Sequence, residues 1–245
     1  MVGAVIVMLD VTEREEREGL RREFSANVSH ELKTPLTSIS GIAEIMKNGM
    51  IKQEDIPHFA GNIYREAQRL IALVGDILRL SQLDEGGEPQ ERTPVDLLAL
   101  SQSVLDSLAL AAQEKGLHLV CAGDHAQVYG VPAVLEEMVF NLCDNAVKYN
   151  RDGGAVTVTV AGKPEGIRLT VADTGIGIPA AEQNRVFERF YRVDKSHSQK
   201  IGGTGLGLSI VKHAASYHGA SLSMKSEMGK GTEINVVFPK DAAER

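Results

Sequence analysis

The sequence predicts an α+β chain in two parts, a helical hairpin followed by an α/β sandwich. Three observations lead to this prediction. Up to about residue 83, apolar residues recur every three or four positions, which is typical of amphipathic helices. The segment DEGGEPQERTP, rich in Gly, Pro and charge, then interrupts the pattern. Beyond it, alternating segments such as AVTVTVAG and GIRLTVAD predict adjacent strands.

Composition narrows the class of protein. A chain of 245 residues suits one large domain or two small ones with a sizeable core. The net charge of -7 gives no electrostatic support for nucleic-acid binding. The two cysteines show no CxxC spacing and indicate reduced core thiols of a cytosolic protein. No stretch reaches 18 apolar residues, so no membrane span is predicted, and the chain is compatible with being the soluble part of a larger protein.

The first half is predicted to be helical after an initial strand. Residues 1–11 are apolar and β-branched, which predicts the last strand of an upstream domain. The charged segment that follows predicts a solvated helix with many i,i+4 pairs. One long amphipathic helix then carries Leu20, Phe24, Val28, Leu32, Leu36, Ile39, Ile42 and Met46 on its apolar stripe. A second helix is predicted from about Pro57 to Leu83.

The second helix has a seam typical of a coiled coil. Its apolar residues repeat every seven positions at Ile56, Ile63, Leu70 and Ile77. A single hairpin buries too little surface to be stable alone, so two copies are expected to form a dimeric four-helix bundle. The alternative is a helical pair that packs on the rest of the chain.

The second half is predicted to alternate between helices and strands. Helices are predicted at 95–115, 132–149 and 206–218, and strands at 117–122, 155–162, 166–173, 220–227 and 232–239. Pro132 would stand at the first position of its helix, where a missing N–H costs nothing. These elements make an open sheet covered by helices on one face.

The segment NLCDNAVKYN carries candidate ligands for a nucleotide. Asn141 and Asn145 are four residues apart on a predicted helix, so both amides project from one face, and Lys148 shares it. Amide oxygens suit Mg²⁺, which combines few protein oxygens with phosphate oxygens and water. Tyr149 adds an aromatic surface at the helix end. Taken alone, the segment equally fits a helix whose asparagines are solvated or form caps.

Two glycine-rich segments offer further candidate ligands. In VADTGIGIP a strand ends at Asp173, whose carboxylate can accept from an exocyclic amine, while Gly175 and Gly177 permit a tight turn. In GGTGLGLSIVKH, glycines precede a helix whose free N–H groups can hold phosphates. The second segment matches neither a Walker loop nor a dinucleotide fingerprint. Each segment alone also fits an ordinary turn.

The polar stretch between these segments is longer than an ordinary connection. It spans roughly 30 residues and contains three of the few aromatic residues, Phe187, Phe190 and Tyr191. Segments of this length commonly act as lids over a ligand. Arg192 is placed to reach a phosphate from it.

The order of these segments is more specific than any one of them. Asn-xxx-Asn on a helix, Asp-x-Gly-x-Gly after a strand, an aromatic lid and Gly-x-Gly-x-Gly before a helix resemble the ATP-binding domain shared by sensor histidine kinases, the Hsp90 chaperones, DNA gyrase and the MutL repair proteins. With SHELKTPL upstream, the resemblance narrows to sensor histidine kinases of two-component systems and covers residues 24–239. Among these, the chain is similar to phosphate-sensing and cell-wall-sensing kinases.

The resemblance implies a division into segments. It assigns 1–11 to the last strand of a truncated PAS-like domain, 12–23 to a signalling helix, 24–86 to a dimerisation and histidine phosphotransfer domain, 87–94 to a linker and 95–241 to an ATP-binding catalytic domain. It also implies the cytoplasmic portion of a bacterial sensor kinase, whose membrane anchor lies only in missing upstream segments.

The resemblance implies ATP and Mg²⁺ as cofactors and assigns contacts to them. Asn141 and Asn145 would bind Mg²⁺, Asn145 most directly, and Lys148 would contact phosphate. Tyr149 would lie along the base or sugar, and Asp173 would accept from the adenine amino group. The remaining implied contacts are Gly175, Gly177 and Ile178 on the base side, Arg192 on the γ-phosphate, and Thr204, Gly205, Leu206, Gly207 and Leu208 at the phosphate end.

His30 is the predicted phosphoacceptor. Two residues correspond to about 200° on a helix, so His30 points away from the apolar stripe of Val28 and Leu32. The resemblance implies that Glu31 orients the ring or takes its proton, and that the phosphoryl group then passes to an aspartate of a response regulator receiver domain. It also implies dephosphorylation of that regulator, with Thr34 orienting the water.

Two other functions fit parts of the pattern. A dimeric signalling scaffold would bind ATP and transfer nothing, but such proteins usually lose one of His30, Asn145 and Asp173. An ATPase clamp of the Hsp90 or MutL kind would need no histidine on a bundle. Transfer within one subunit and transfer across the dimer are both compatible with the sequence.

Overall fold

The computed structural model describes residues 12–84, 91–193 and 203–240. The chain divides into two compact units, Met1–Leu73 and Val74–Arg245. The strand predicted at residues 1–11 lies outside the described residues. Within the described ranges, no helix combines the length and the hydropathy needed to cross a membrane.

Two long helices form the predicted hairpin. Helix α1 spans Thr12–Lys47, helix α2 spans Ile56–Asp84, and a 3-10 turn occupies Gln53–Asp55 between them. The charged helix and the amphipathic helix predicted one after the other are therefore one continuous helix. Helix α1 continues through Pro35, because a missing N–H removes only one helical hydrogen bond.

Helix α2 carries more apolar surface than its predicted seam. The seam is half-buried within the single chain at Ile63, Leu70 and Ile77. A neighbouring stripe, also with seven-residue spacing, leaves Tyr64, Ile71 and Leu78 exposed by 65%, 66% and 59%. Exposed apolar side chains at this spacing are typical of a helix face that another helix covers.

The second unit contains helices and strands in alternation. The helices after α2 are α3 (Leu97–Ser107), α4 (Ala109–Glu114), α5 (Pro132–Lys148) and α6 (Gly207–Tyr217). The strands are β1 (Thr93–Asp96), β2 (His118–Gly123), β3 (Gln127–Gly130), β4 (Ala155–Lys163), β5 (Gly166–Asp173), β6 (Ser221–Glu227) and β7 (Gly231–Pro239).

Five of these strands form one mixed sheet in the order β2-β4-β5-β7-β6. Strand β2 pairs parallel with β4, and the other neighbours are antiparallel. Val156, Val158 and Val160 alternate toward the buried face, as the period of two predicts. The core between sheet and helices includes Leu105, Leu142, Val211 and Phe238. The predicted α/β sandwich is confirmed.

The helix predicted over 95–115 is wrong at its start and in its continuity. Val95 and Asp96 belong to β1, which pairs with the unpredicted strand β3. The Asp96 carboxylate accepts from the N–H groups of Leu98 and Ala99, so the helix begins only after this cap. Leu108, with φ −94° and ψ −1°, then separates α3 from α4. Each of these strands has only four residues. An alternation of apolar and polar residues that short cannot be distinguished from the first turn of a helix.

A buried histidine joins the end of α6 to the residue that follows β3, in the two-stranded sheet of β1 and β3. His218 is 4% exposed, and its Nδ1 lies 2.8 Å from the Ala214 carbonyl oxygen. Its Nε2 accepts from the Val131 N–H at 3.1 Å, so the ring is neutral and its proton is on Nδ1. Burial lowers the pKa of His218 below its ordinary value, and the positive charge of Arg92 lowers it further.

Because the folded state disfavours protonated His218, we expect acid to destabilise the second unit. In the unfolded chain His218 takes up this proton near pH ~6.5. The stabilisation that the folded state gains from neutral His218 is therefore complete above that pH and is lost as the pH falls toward the lowered pKa. Urea unfolding at pH 7.5 and 5.5 checks this expectation. The variant His218→Gln should have a lower free energy of unfolding at pH 7.5, and that free energy should change less between the two pH values. An unchanged pH dependence in the variant would contradict the role of His218.

Candidate functional site

His30 lies on the exposed face of α1. Its side chain is 81% exposed, and its Nδ1 lies 4.0 Å from Oε1 of Glu31. The other oxygen of Glu31 lies 3.5 Å from Nη2 of Arg69 on α2, which is only 13% exposed. The Thr34 hydroxyl donates to the His30 carbonyl oxygen at 3.3 Å. The structure thus places a reachable imidazole beside a carboxylate that a largely buried arginine holds in place.

A second group of predicted residues lies on one face of α5. The Asn141 amide nitrogen donates to the Glu137 carbonyl oxygen at 2.9 Å, which fixes the orientation of the amide. Asn145 is half-buried one turn further along. Lys148 forms an ion pair of 2.6 Å with Asp144, one turn earlier on the same helix. The face therefore presents two amides and one cation.

Asp173 ends β5 with one carboxylate oxygen engaged by the backbone. Its Oδ1 accepts from the N–H of Gly175 at 2.7 Å and from the N–H of Thr232 at 3.3 Å. Burial raises the pKa of Asp173 above its ordinary value, although these two N–H groups lower it in part. Among the described residues, no hydrogen bond reaches Oδ2, so this oxygen can accept from a ligand.

The loop after Asp173 is fixed on both sides by close backbone approaches. Gly177 has φ 69°, and a Cβ there would lie 2.0 Å from the Glu227 carbonyl oxygen, so only glycine fits. The N–H of Ile178 donates to the Ser226 hydroxyl at 2.8 Å. On the other side, a Cβ on Gly175 would lie 2.3 Å from the Tyr149 carbonyl oxygen.

The loop before α6 lies against the amide face of α5. A Cβ on Gly207 would stand 2.8 Å from Oδ1 of Asn141 and 3.5 Å from Nδ2 of Asn145. A Cβ on Gly203 would stand 3.0 Å from the Tyr149 hydroxyl oxygen. The structure therefore brings together two segments that are some sixty positions apart in the sequence, and glycine at these positions allows their close approach.

The remaining predicted residues of this loop have structural neighbours. Leu206 is buried and Leu208 is half-buried. The Thr204 hydroxyl donates to Oδ2 of Asp76 at 2.7 Å, within the second unit. Gly205, at φ 77°, accepts through its carbonyl from the N–H of Phe190, which itself adopts φ 64°. A left-handed phenylalanine is uncommon and reflects this tight contact.

The predicted lid is described only in its first part. Phe187, Phe190 and Tyr191 lie in it, and the Arg185 guanidinium carbon is 4.2 Å from the centre of the Tyr191 ring. Arg192 is half-buried at the end of this described part. Residues 194–202 lie outside the described residues.

Lys115 is a contributor to the site that sequence reasoning missed. Its ammonium group donates to the carbonyl oxygens of Val147 and Lys148 at 3.0 and 2.6 Å. These are the last carbonyls of α5, which have no partner within the helix. A cation at a helix C-terminus also opposes the helix dipole favourably. Spacing gave no signal, because Lys115 stands over thirty positions before its acceptors.

We expect Lys115→Met to destabilise the second unit by about 1 kcal/mol, because the Lys148 carbonyl loses its ammonium donor and the Val147 carbonyl retains the backbone N–H of Asn150 at 3.4 Å. For a unit of this size the melting temperature should fall by about 3 °C. Thermal unfolding followed by circular dichroism measures it. The exposed Lys163, at the end of β4, provides the control Lys163→Met, which should melt within ~1 °C of the wild type. Equal melting of both variants would contradict the capping role.

Two family profiles match the chain. One, described as His Kinase A (phospho-acceptor) domain, matches residues 20–86. The other, described as Histidine kinase-, DNA gyrase B-, and HSP90-like ATPase, matches residues 130–242. The first range contains His30, and the second contains the α5 face, Asp173 and the glycine loops.

Curated relatives are similar over nearly the whole chain. The sensor histidine kinase WalK of Bacillus subtilis (strain 168) is 36% identical over 241 residues, which are 97% of this chain. The chain spans only 39% of the length of that relative.

Solved structures show the same fold. The full-length kinase ShkA in complex with AMPPNP has a TM-score of 0.64 at 29% identity, over 91% of this chain and 47% of that one. The histidine kinase ThkA in complex with the response regulator protein TrrA has a TM-score of 0.75 at 23% identity, over 96% of this chain and 66% of that one.

One further structure has a higher sequence identity, and the match covers nearly all of that structure's own chain. It is the mycobacterial sensor histidine kinase MprB, with 32% identity and a TM-score of 0.52, over 60% of this chain and 97% of that one. Both family profiles, the curated relative and this structure agree. The chain belongs to the sensor histidine kinase family.

Proposed function

We propose that this chain transfers the γ-phosphoryl group of ATP to His30 and then to an aspartate of a response regulator receiver domain. The observation that carries the proposal is the meeting of the α5 amide face with the glycine loop before α6, next to an acceptor oxygen on Asp173. We infer that this arrangement provides a place for phosphates and a place for a base in the second unit. The exposed His30 provides the nucleophile.

In this proposal the adenine amino group donates to Oδ2 of Asp173. Tyr149 and Ile178 flank the base, and Gly175 and Gly177 allow its close approach. The phosphates extend toward the loop formed by Thr204, Gly205, Leu206, Gly207 and Leu208. Lys148 contacts a phosphate, while Asp144 holds its ammonium group within reach. Arg192 provides a second cation from the lid.

The amide face fits a magnesium ion. Asn141 has its nitrogen engaged with the Glu137 carbonyl, so its oxygen faces the small loop at Gly207, where a side chain would collide with it. Among the described residues, no cluster of three His, Cys, Asp or Glu side chains offers another metal site. We propose Asn141 and Asn145 as the ligands. When bound, Mg²⁺ neutralises phosphate charge during transfer.

The geometry at His30 favours Nε2 as the attacking atom, because Nδ1 is the nitrogen that faces Glu31. The Nε2 lone pair forms a bond to the γ-phosphorus while the bond from that phosphorus to the bridging oxygen breaks and ADP leaves. The Nδ1 proton of the resulting imidazolium passes to Glu31 or to water. In the second transfer Nδ1 regains a proton from Glu31 or water, the receiver aspartate attacks the phosphorus, the P–N bond breaks, and neutral imidazole leaves.

We propose that the active form is a homodimer joined through the helical bundle. The stripe of Tyr64, Ile71 and Leu78 is more than half exposed in the single chain, and a second copy would cover it with equivalent apolar residues. ThkA, which shares the fold of this chain, forms a complex with the response regulator protein TrrA. That complex supports a response regulator as the partner of this chain.

Incubation with radiolabelled ATP and Mg²⁺ tests the proposed function. The chain should acquire a label that is stable to alkali and lost in acid, as expected for phosphohistidine. Addition of purified receiver domains should then move the label to one of them. ATP hydrolysis without any labelled chain would instead support an ATPase clamp, and ATP binding without turnover would support a scaffold.

We also propose that the chain dephosphorylates the regulator, with the Thr34 hydroxyl orienting the attacking water. The variant Thr34→Ala should slow regulator dephosphorylation at least about tenfold, because the water loses its positioning group. Autophosphorylation should change by less than about twofold. Thr37 is a matched control, since its hydroxyl also donates to a carbonyl one turn earlier, at 2.9 Å. Equal dephosphorylation rates for Thr34→Ala and Thr37→Ala would contradict the assignment.

A further inference from the structure

A buried asparagine connects the two segments that form the base side of the proposed site. Asn150 follows Tyr149 directly after α5 and is 8% exposed. Its amide nitrogen donates to the carbonyl oxygens of Ala146 and Ala155, both at 3.0 Å. Its amide oxygen accepts from the N–H of Arg151 at 3.0 Å and from the hydroxyl of Thr174 at 3.3 Å. One side chain thus joins the end of α5, the start of β4 and the loop after β5.

Thr174 completes this connection. Its hydroxyl oxygen accepts from the N–H of Ala155 at 2.9 Å, while its own N–H donates to the Ala155 carbonyl oxygen at 3.2 Å. Thr174 is also the residue next to Asp173, whose Oδ1 is held by Gly175. The position of the Asp173 carboxylate therefore depends on a loop that Asn150 and Ala155 hold from the other side.

The backbone at Gly154 and Gly175 packs closely against this network. A Cβ on Gly154 would stand 2.3 Å from Oδ1 of Asn150 and 2.7 Å from the hydroxyl oxygen of Thr174. A Cβ on Gly175 would stand 3.0 Å from Cα of Asn150. Buried networks in which every polar group has a partner are rigid, and the loss of one member leaves the others unsatisfied.

We propose that Asn150 is a positioning residue that holds Asp173 in place for the adenine amino group and so sets the preference for adenine. The inference rests on the proposed function, because it assumes that Asp173 accepts from the base. Asn150 itself touches no ligand and acts through Thr174. A shift of the Asp173 carboxylate by a fraction of an ångström weakens its bond to the amino group, and leaves the phosphate contacts on α5 in place.

The test compares ATP with purine riboside triphosphate, which lacks only the 6-amino group. Dissociation constants for both nucleotides are measured by calorimetry with the wild type and with Asn150→Ala. For one hydrogen bond to a carboxylate, the wild type should prefer ATP by roughly tenfold or more. In Asn150→Ala this preference should fall at least about fivefold, while affinity for the purine nucleotide changes less than about twofold.

Asn235 provides the matched control. It is also 8% exposed in the same unit, and its amide bonds to the side chains of Thr170 and Glu233 on the sheet. Asn235→Ala should lower the melting temperature and leave the nucleotide preference unchanged. If Asn150→Ala does not fold, Thr174→Val replaces it, because this variant keeps the shape and removes the hydroxyl from the same network. It should lower the preference in the same way.

The outcomes separate two failures. If Asn150→Ala and Thr174→Val lower the affinity for both nucleotides by the same factor, Asn150 is only a structural residue and the inference is overturned. If the wild type itself binds the two nucleotides equally, the proposed contact between Asp173 and adenine is wrong, and the inference falls with it. A selective loss of preference in both variants supports the inference.

Discussion

His30→Gln should reduce labelling of the chain by radiolabelled ATP to background, a loss of at least about 100-fold. Glutamine keeps a polar side chain of similar length on the exposed face of α1, but its amide nitrogen has no lone pair available for attack on phosphorus. ATP affinity should be unchanged, because the nucleotide contacts proposed above lie in the second unit. Gel autoradiography after acid-free handling measures the label, and calorimetry measures the affinity.

The control for this experiment is His58→Gln. His58 is an exposed histidine of the same hairpin, in the first turn of α2, with an edge contact to the Phe59 ring. This variant should be labelled as well as the wild type. Labelling of His30→Gln at the wild-type level would show that another residue accepts the phosphoryl group.

Asp173→Asn should weaken ATP binding by roughly 10- to 150-fold, the range for loss of a hydrogen bond to a charged group. Asparagine preserves the shape of the side chain and can still accept from Gly175, so the loop should stay folded. In place of Oδ2, the asparagine presents either an amide oxygen, which is a weaker acceptor, or an NH₂ group that opposes the adenine amino group. Affinity for purine riboside triphosphate should change little.

The exposed Asp152, in the turn before β4, gives the control Asp152→Asn. That variant removes the same charge from the same unit and should bind ATP as the wild type does. An equal loss of affinity in both variants would indicate that net charge, and not the hydrogen bond to the base, determines binding.

Regular patterns allowed most of the second unit to be predicted. In β4 the alternation of Val156, Val158 and Val160 reports directly on which face is buried, because the strand period is two. In α5 the spacing of Asn141 and Asn145 places both amides on one face for the same kind of reason. Both patterns are local, so neighbouring residues carry all the information that the prediction needs.

Features that depend on distant partners could not be predicted in this way. Strand β1 forms because Thr93 to Asp96 meet β3, which no local pattern reveals. Lys115 finds its acceptors at the end of α5 only after the chain has folded. The acceptor oxygen left open on Asp173 depends likewise on Thr232, fifty-nine positions away. Sequence patterns suggested candidate ligand-binding residues, and tertiary contacts determine which of their polar atoms are engaged by other parts of the chain.

The close approach of Gly175 to the Tyr149 carbonyl has a practical consequence for engineering. The N–H of Ile176 donates to that same carbonyl oxygen at 3.1 Å. A loop transplanted into this position from another kinase would therefore bring a donor whose acceptor, at the end of α5, belongs to the recipient. We expect a graft of the loop that we propose to contact the base to be tolerated best when residues 149–155 move with it, as one discontinuous cassette.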